Sequence, residues 1–146
     1  MSLAAIHAAI PHREPFLLLD EIVSQTAERI VCRKTFTGQE WFYAGHYPGA
    51  PLTPGVLLCE ACLQAGAVLL SQQSKASAET SAKKVPVATR LNNVRFKRMV
   101  KPGETIEIEV TLTERLADAF FMTGKVTVGG KTAATLELAC MMTAAE

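Results

Sequence analysis

The feature that most constrains this chain is a long apolar run holding a single acid. Val56 to Leu70 reads VLLCEACLQAGAVLL, and between Glu40 and Lys75 no residue other than Glu60 carries a formal charge. Thr53 is a natural N-cap and Pro54 a natural first helical residue, so the sequence predicts a helix from there to about Gln72. Such a helix is apolar nearly all round and has to be enclosed by other structure. The stretch is short for a membrane span and contains Glu60 and Gln64, which reads as a core helix.

The material to enclose it is β. Phe16 to Val23 and Arg29 to Phe36 are read as early strands, after a short helix capped by Ser2, running to about Ala9 and ended by Pro11. Val85 to Val100 is read as a further strand, followed by a Pro102–Gly103 turn. Glu104 to Leu116 alternates Ile106, Ile108, Val110 and Leu112 against Glu107, Glu109 and Thr111, the period of a half-buried strand. Ala119 to Val128 and Lys131 to Met142 flank Gly129–Gly130, a two-residue hairpin signal. Ser71 to Lys84 is small, polar and of low complexity, and reads as a flexible loop or a frayed helix end. The expectation is α+β: one domain over residues 1–146, its antiparallel sheet wrapped around one long central helix.

The net charge of +1 favours neither nucleic acid nor an anionic membrane as partner. The chain is 49% hydrophobic with a mean hydropathy of +0.18, an excess that suggests a subunit interface or an apolar pocket. The N-terminal segment has no basic leader and meets Pro11, so a cytoplasmic setting is expected. Cys59 and Cys62 imitate a redox or zinc pair, but they lie inside the helix, and Cys32 and Cys140 are distant singles. All four read as small buried thiols, with no metal site.

Chemistry concentrates just ahead of the helix. His46 is followed by Pro48, Gly49, Pro51, Pro54 and Gly55, and Trp41, Phe42, Tyr43 and Tyr47 cluster around it. Imidazole titrates near neutral pH and suits proton abstraction. A carboxyl in an apolar helix favours the protonated form that a donor needs. A helix N-terminus offers unpaired N–H groups to developing negative charge. A lone histidine is most often a packed core residue; what singles out His46 is the stiff turn and the isolated acid beside it. His7 and His12 read as structural.

Three stretches together resemble the FabZ-type 3-hydroxyacyl-acyl carrier protein dehydratases, which have the hot-dog fold. They are IPHREPFLLLD (Ile10 to Asp20), GHYPGAPLTPGVLLCEACLQ (Gly45 to Gln64) and NNVRFKRMVKPGE (Asn92 to Glu104), in family order. The middle stretch is the most specific, although Tyr47 stands where the family usually has Phe.

The resemblance implies a hydro-lyase without metal or cofactor that converts 3-hydroxyacyl thioesters to trans-2-enoyl thioesters. It implies His46 and Glu60 as the catalytic pair, the Gly55 backbone N–H on the thioester oxygen, and Gln64 as the residue orienting the acid. Tyr47, Pro54 and Val56 are expected to line the substrate pocket. It also implies a homodimer or a trimer of dimers, with His46 of one subunit facing Glu60 of another.

Lys83 to Lys101 holds seven basic residues' worth of one-sided charge with no acid, and reads either as a solvated strand face or as a landing surface. Arg95 and Lys97, expected on one strand face, with Arg98 and Lys101, would meet an acidic acyl carrier protein bearing a phosphopantetheine-linked substrate. The alternatives are a hot-dog acyl thioesterase, or a non-catalytic acyl-carrier-binding subunit of a synthase.

Overall fold

The computed structural model describes residues 3–76 and 84–144. The elements run α1 (Leu3–Ala9), β1 (Glu21–Gln25), β2 (Arg29–Thr35), a short 3-10 turn (Tyr43–Gly45), α2 (Gly55–Ala76), β3 (Lys84–Phe96), β4 (Thr105–Leu116), β5 (Ala119–Val128) and β6 (Lys131–Ala144). Ser2, the expected cap of α1, lies outside the described residues. The strands form one six-stranded antiparallel sheet in the order β1-β2-β4-β5-β6-β3. α2 packs against β2, β3, β4, β5 and β6, so the sheet wraps the helix as expected.

The alternation read in the sequence sets the inner face. Ile106, Ile108, Val110, Phe120, Met122 and Val126 are all buried against the helix. The opposite face of β2 and β4 carries charge, where Arg33 bridges Glu21 at 2.7 Å and Glu107 at 2.9 Å, and Arg29 pairs with Glu109. The β5–β6 hairpin turns on Gly129 and Gly130, both at positive φ (58° and 79°), as its tight turn requires. α2 reaches the sheet through small residues. Ala61, Cys62 and Ala65 are fully buried, and a Cβ on Gly124 of β5 would stand 3.0 Å from Cys62 Sγ and 3.2 Å from its Cβ.

That burial settles the thiols. All four cysteines are free and buried. Desolvation pushes Cys32 up to about 12 and Cys140 to about 11, and raises Cys59 and Cys62 as well. They remain neutral, unreactive core groups.

Several boundaries differ from the sequence reading. Phe16 to Asp20 is not strand; β1 begins only at Glu21. Leu17, Leu18 and Leu19 are all buried, which a half-exposed strand cannot do with three residues in succession. Their backbone is held by a side chain instead. The fully buried Gln64 accepts from the Leu18 N–H through Oε1 at 2.7 Å and donates from Nε2 to the Phe16 carbonyl at 3.0 Å.

At the other end, α2 runs on to Ala76, so the first part of the expected loop is helical; residues 77–83 of that loop lie outside the described residues. β3 stops at Phe96 rather than Val100. Lys97 and Arg98 leave the strand, both donating their N–H to the Ala133 carbonyl, and the pairing slips between Asn92 and Arg95. Arg95 and Lys97 therefore do not share a regular strand face. The Thr53 hydroxyl, expected to cap α2, pairs with the Tyr43 phenol at 2.6 Å.

Gly124→Ala forces a methyl onto the Cys62 side chain at its root and is expected to lose about 1–3 kcal/mol in urea denaturation. Gly66→Ala meets only the pliant end of Met122 (3.3 Å) and Leu138 (3.5 Å), and gains helix propensity. It should leave stability unchanged or raise it by up to about 1 kcal/mol. Gln64→Leu strands the Leu18 N–H and the Phe16 carbonyl in the interior and should lower stability by about 2–4 kcal/mol. A Gln64→Leu protein as stable as the parent contradicts this account of the leucine loop.

Candidate active site

The His46 turn is fixed by polar contacts on both sides. Thr53, 4% exposed, donates its backbone N–H to the Val100 carbonyl at 2.9 Å and engages Tyr43 through its hydroxyl. Tyr43 itself is buried, which raises its phenol above the ordinary range, so it stays neutral. Phe36 and Phe42 pack against its ring. Between these anchors the chain folds back, and His46 Nδ1 lies 2.7 Å from the Leu52 carbonyl. A carbonyl only accepts, so Nδ1 carries the proton and Nε2 is left as the nitrogen able to take one.

Tyr47, next in sequence, sits at φ 54°, a left-handed conformation that strains a bulky residue. Its ring stands edge-on to His46 at 4.7 Å. Strain of this kind concentrates where a neighbouring side chain must be aimed.

His46 lines a cleft of ≈ 560 Å³ together with Pro54, Gly55, Val56 and Phe96, with Lys97 and Arg98 at the same cleft. Four of the expected positions therefore converge: His46, Pro54, Gly55 and Val56. Tyr47 lines a neighbouring, mostly apolar groove of ≈ 690 Å³ with Leu52, Met99 and Lys101. The two share Leu52 and Met99 and so lie side by side.

Gly55 opens α2, and its missing side chain has a partner the sequence did not reveal. A Cβ there would stand 2.9 Å from the Phe96 ring. A side chain there would have to push aside the Phe96 ring, which is half-exposed and flanks the helix N-terminus. The first-turn N–H groups of α2 at this point have no preceding helical carbonyl to bond.

Glu60 stands apart from this cleft. Its side chain is 23% exposed rather than sunk in an apolar wall, and Gln64 Nε2 donates to its Oε2 at 3.0 Å. The same amide that holds the leucine loop thus also holds the acid, one helical turn away. Among the described residues no hydrogen bond or ion pair joins Glu60 to His46. Among the described residues the one ion-pair contact of Glu60 is to His12, whose Nε2 lies 4.0 Å from Oε2. His12 was read as structural in the sequence; only its place in the IPHREPF stretch pointed to it. Arg95, Lys97, Arg98 and Lys101 are all solvent-exposed. No cluster of His, Cys, Asp or Glu fit to hold a metal occurs among the described residues.

Residues 10–137 match the family described as a FabA-like domain. The 3-hydroxyacyl-[acyl-carrier-protein] dehydratase FabZ of Clostridium perfringens (strain SM101 / Type A) is 36% identical over 138 residues, covering 94% of this chain and 96% of that protein. The FabZ of Staphylococcus carnosus (strain TM300) is 40% identical over 136 residues, covering 91% and 89%. In structure, the chain is similar to the dehydratase heterocomplex ApeI:P from Xenorhabdus doucetiae, with a TM-score of 0.79 at 18% identity over 94% of this chain and 90% of that one. A single α+β hot-dog domain accounts for the sheet, the enclosed helix and these likenesses together. This chain belongs to the FabA-like family, and its relatives there include the FabZ dehydratases.

Proposed function

We propose that this protein dehydrates 3-hydroxyacyl-[acyl carrier protein] to trans-2-enoyl-[acyl carrier protein] in the building of fatty-acid or related acyl chains, in the cytoplasm. The observation that carries the reading is the similarity to FabZ dehydratases at 36% and 40% identity over more than nine-tenths of the chain. The geometry supports it with His46 Nε2 left free by the Nδ1 contact to Leu52 and with Glu60 held by Gln64.

His46 takes the proton from C2, its free Nε2 accepting while Nδ1–H stays on the Leu52 carbonyl. The electron pair released forms the new double bond as the C3–O bond breaks, and Glu60 gives its proton to the departing hydroxyl, which leaves as water. The thioester oxygen gathers charge as C2 is deprotonated, and the N–H of Gly55 at the helix start, in the His46 cleft, meets it. Pro54, Val56 and the apolar groove beside Tyr47 receive the acyl chain and its pantetheine arm. No metal or cofactor enters any of these steps.

Since His46 and Glu60 keep separate company within one chain, a second copy completes the site. β3 is the surface for it. It is an edge strand, largely exposed along its length, with Val87, Leu91 and Phe96 about half exposed. A long exposed sheet edge bearing several apolar side chains invites pairing. Pairing two copies along β3 closes it and brings the exposed Val56 and Phe96 at the mouth of one cleft toward the partner. The smallest such assembly is a homodimer, and a trimer of dimers reuses it. Lys97 and Arg98 at the cleft, Lys101 at the neighbouring groove and the exposed Arg95 then present positive charge to the acidic carrier protein and its phosphopantetheine phosphate.

His46→Ala and Glu60→Gln should each reduce formation of the 2-enoyl thioester by about 100- to 10,000-fold, the usual weight of general acid–base groups, with folding intact. A thiol-trapping dye should stay silent; release of free carrier thiol in place of enoyl product would make the protein a thioesterase. Substrate bound with no product of either kind would make it a non-catalytic carrier-binding subunit. Val87→Lys with Leu91→Lys should convert the assembly to monomers by light scattering and abolish dehydration together. An active monomer contradicts the shared site.

A further inference from the structure

His12 lies in the segment between α1 and the buried leucines, and three features set it apart from a packing residue. Its Nε2 faces Glu60 Oε2 at 4.0 Å, with the two side chains 28% and 23% exposed. Its Nδ1 is buried and has no hydrogen-bond partner. Its backbone is clamped: the Arg13 guanidinium donates to the carbonyls of His12 (2.7 Å), Ile10 (2.8 Å) and His7 (3.0 Å). The ring itself lies nearly parallel to Phe16, with centroids 6.5 Å apart.

An unpartnered buried nitrogen costs stability unless the ring is kept for another purpose. A proton on Nδ1 would be a stranded donor, so the ring carries it on Nε2, toward the carboxyl. Gln64 Nε2 already donates to the same oxygen at 3.0 Å. Two groups from different segments, one on α2 and one on the clamped loop, therefore address Oε2, and Oε1 has no hydrogen-bond partner among the described residues. A donor from the same helix alone leaves the carboxyl free to swing about its stem, and a second from off the helix removes that freedom. At 4.0 Å the contact is longer than a hydrogen bond, and catalytic contacts commonly tighten only when substrate is bound.

We infer that His12 is a positioning residue for the proton donor: it holds Glu60 Oε2 from the loop side so that Oε1 faces the departing hydroxyl. This rests on the dehydratase reading above and assigns a task to a side chain that otherwise has none.

The test compares His12→Ala, His12→Gln and His12→Asn in the full-length protein with 3-hydroxyoctanoyl-[acyl carrier protein]. A misaimed donor lowers kcat and leaves substrate binding alone. His12→Ala should lose about 10- to 100-fold in kcat with KM changed less than about twofold. Glutamine carries its amide nitrogen at the distance of Nε2 and should regain kcat to within about fivefold of the parent, whereas asparagine, matching Nδ1, should not. Equal kcat for the Gln and Asn variants overturns the inference, even if His12→Ala is poorly folded. A loss confined to KM, or no loss at all in a well-folded His12→Ala, overturns it too. Parent activity with an inactive Glu60→Gln and fully active His12 variants removes this inference alone; a parent that makes no enoyl product removes the dehydratase reading with it.

Discussion

One buried amide ties the sheet's entrance loop to its central helix and to the acid. Gln64 is fully buried, and its side chain makes three hydrogen bonds, to the Leu18 N–H, the Phe16 carbonyl and Glu60. An amide in an apolar core is tolerated only when its groups are paired, and here the pairing is also the positioning. The leucines fill the core because their backbone finds its partners in Gln64. Oε2 of Glu60 takes a hydrogen bond from the same nitrogen that the loop holds. Disturbing either end loosens the other.

His46 is held by a different logic. Among the described residues no side chain reaches His46 Nδ1; a backbone carbonyl does, presented by a turn that Thr53 pins to Val100 and Tyr43. Prolines and a strained Tyr47 stiffen the path between. The tautomer is thus set by the fold and not by a neighbouring charge. Acid and base sit on separately anchored units, which explains how one chain can hold both without bringing them together.

Much of this was legible from the residues. The alternation of β4, the glycine pair of the β5–β6 hairpin and the enclosed helix with its lone acid all follow from local periodicity and turn chemistry. The His46, Pro54, Gly55 and Val56 cluster followed from the motif, and the cleft contains all four. What escaped depends on contacts far apart in sequence. Leu17 to Leu19 have strand composition, and only Gln64, distant along the chain, takes their backbone out of the sheet. Gly55 was expected for its backbone N–H, and the Phe96 ring packed beside it came from a residue far along the chain. Lys97 leaves its strand because Ala133 offers a carbonyl. His12 carried no signal of its own until the loop placed it beside Glu60.

Whether acid and base meet across subunits can be measured directly. Equimolar His46→Ala and Glu60→Gln proteins, each inactive alone, are unfolded and refolded together and assayed for enoyl product. Random pairing makes half the dimers mixed, each with one intact site, so activity should return to about a quarter of the parent's. No recovery above either variant alone, in a mixture shown to contain the mixed dimer, would contradict the shared site.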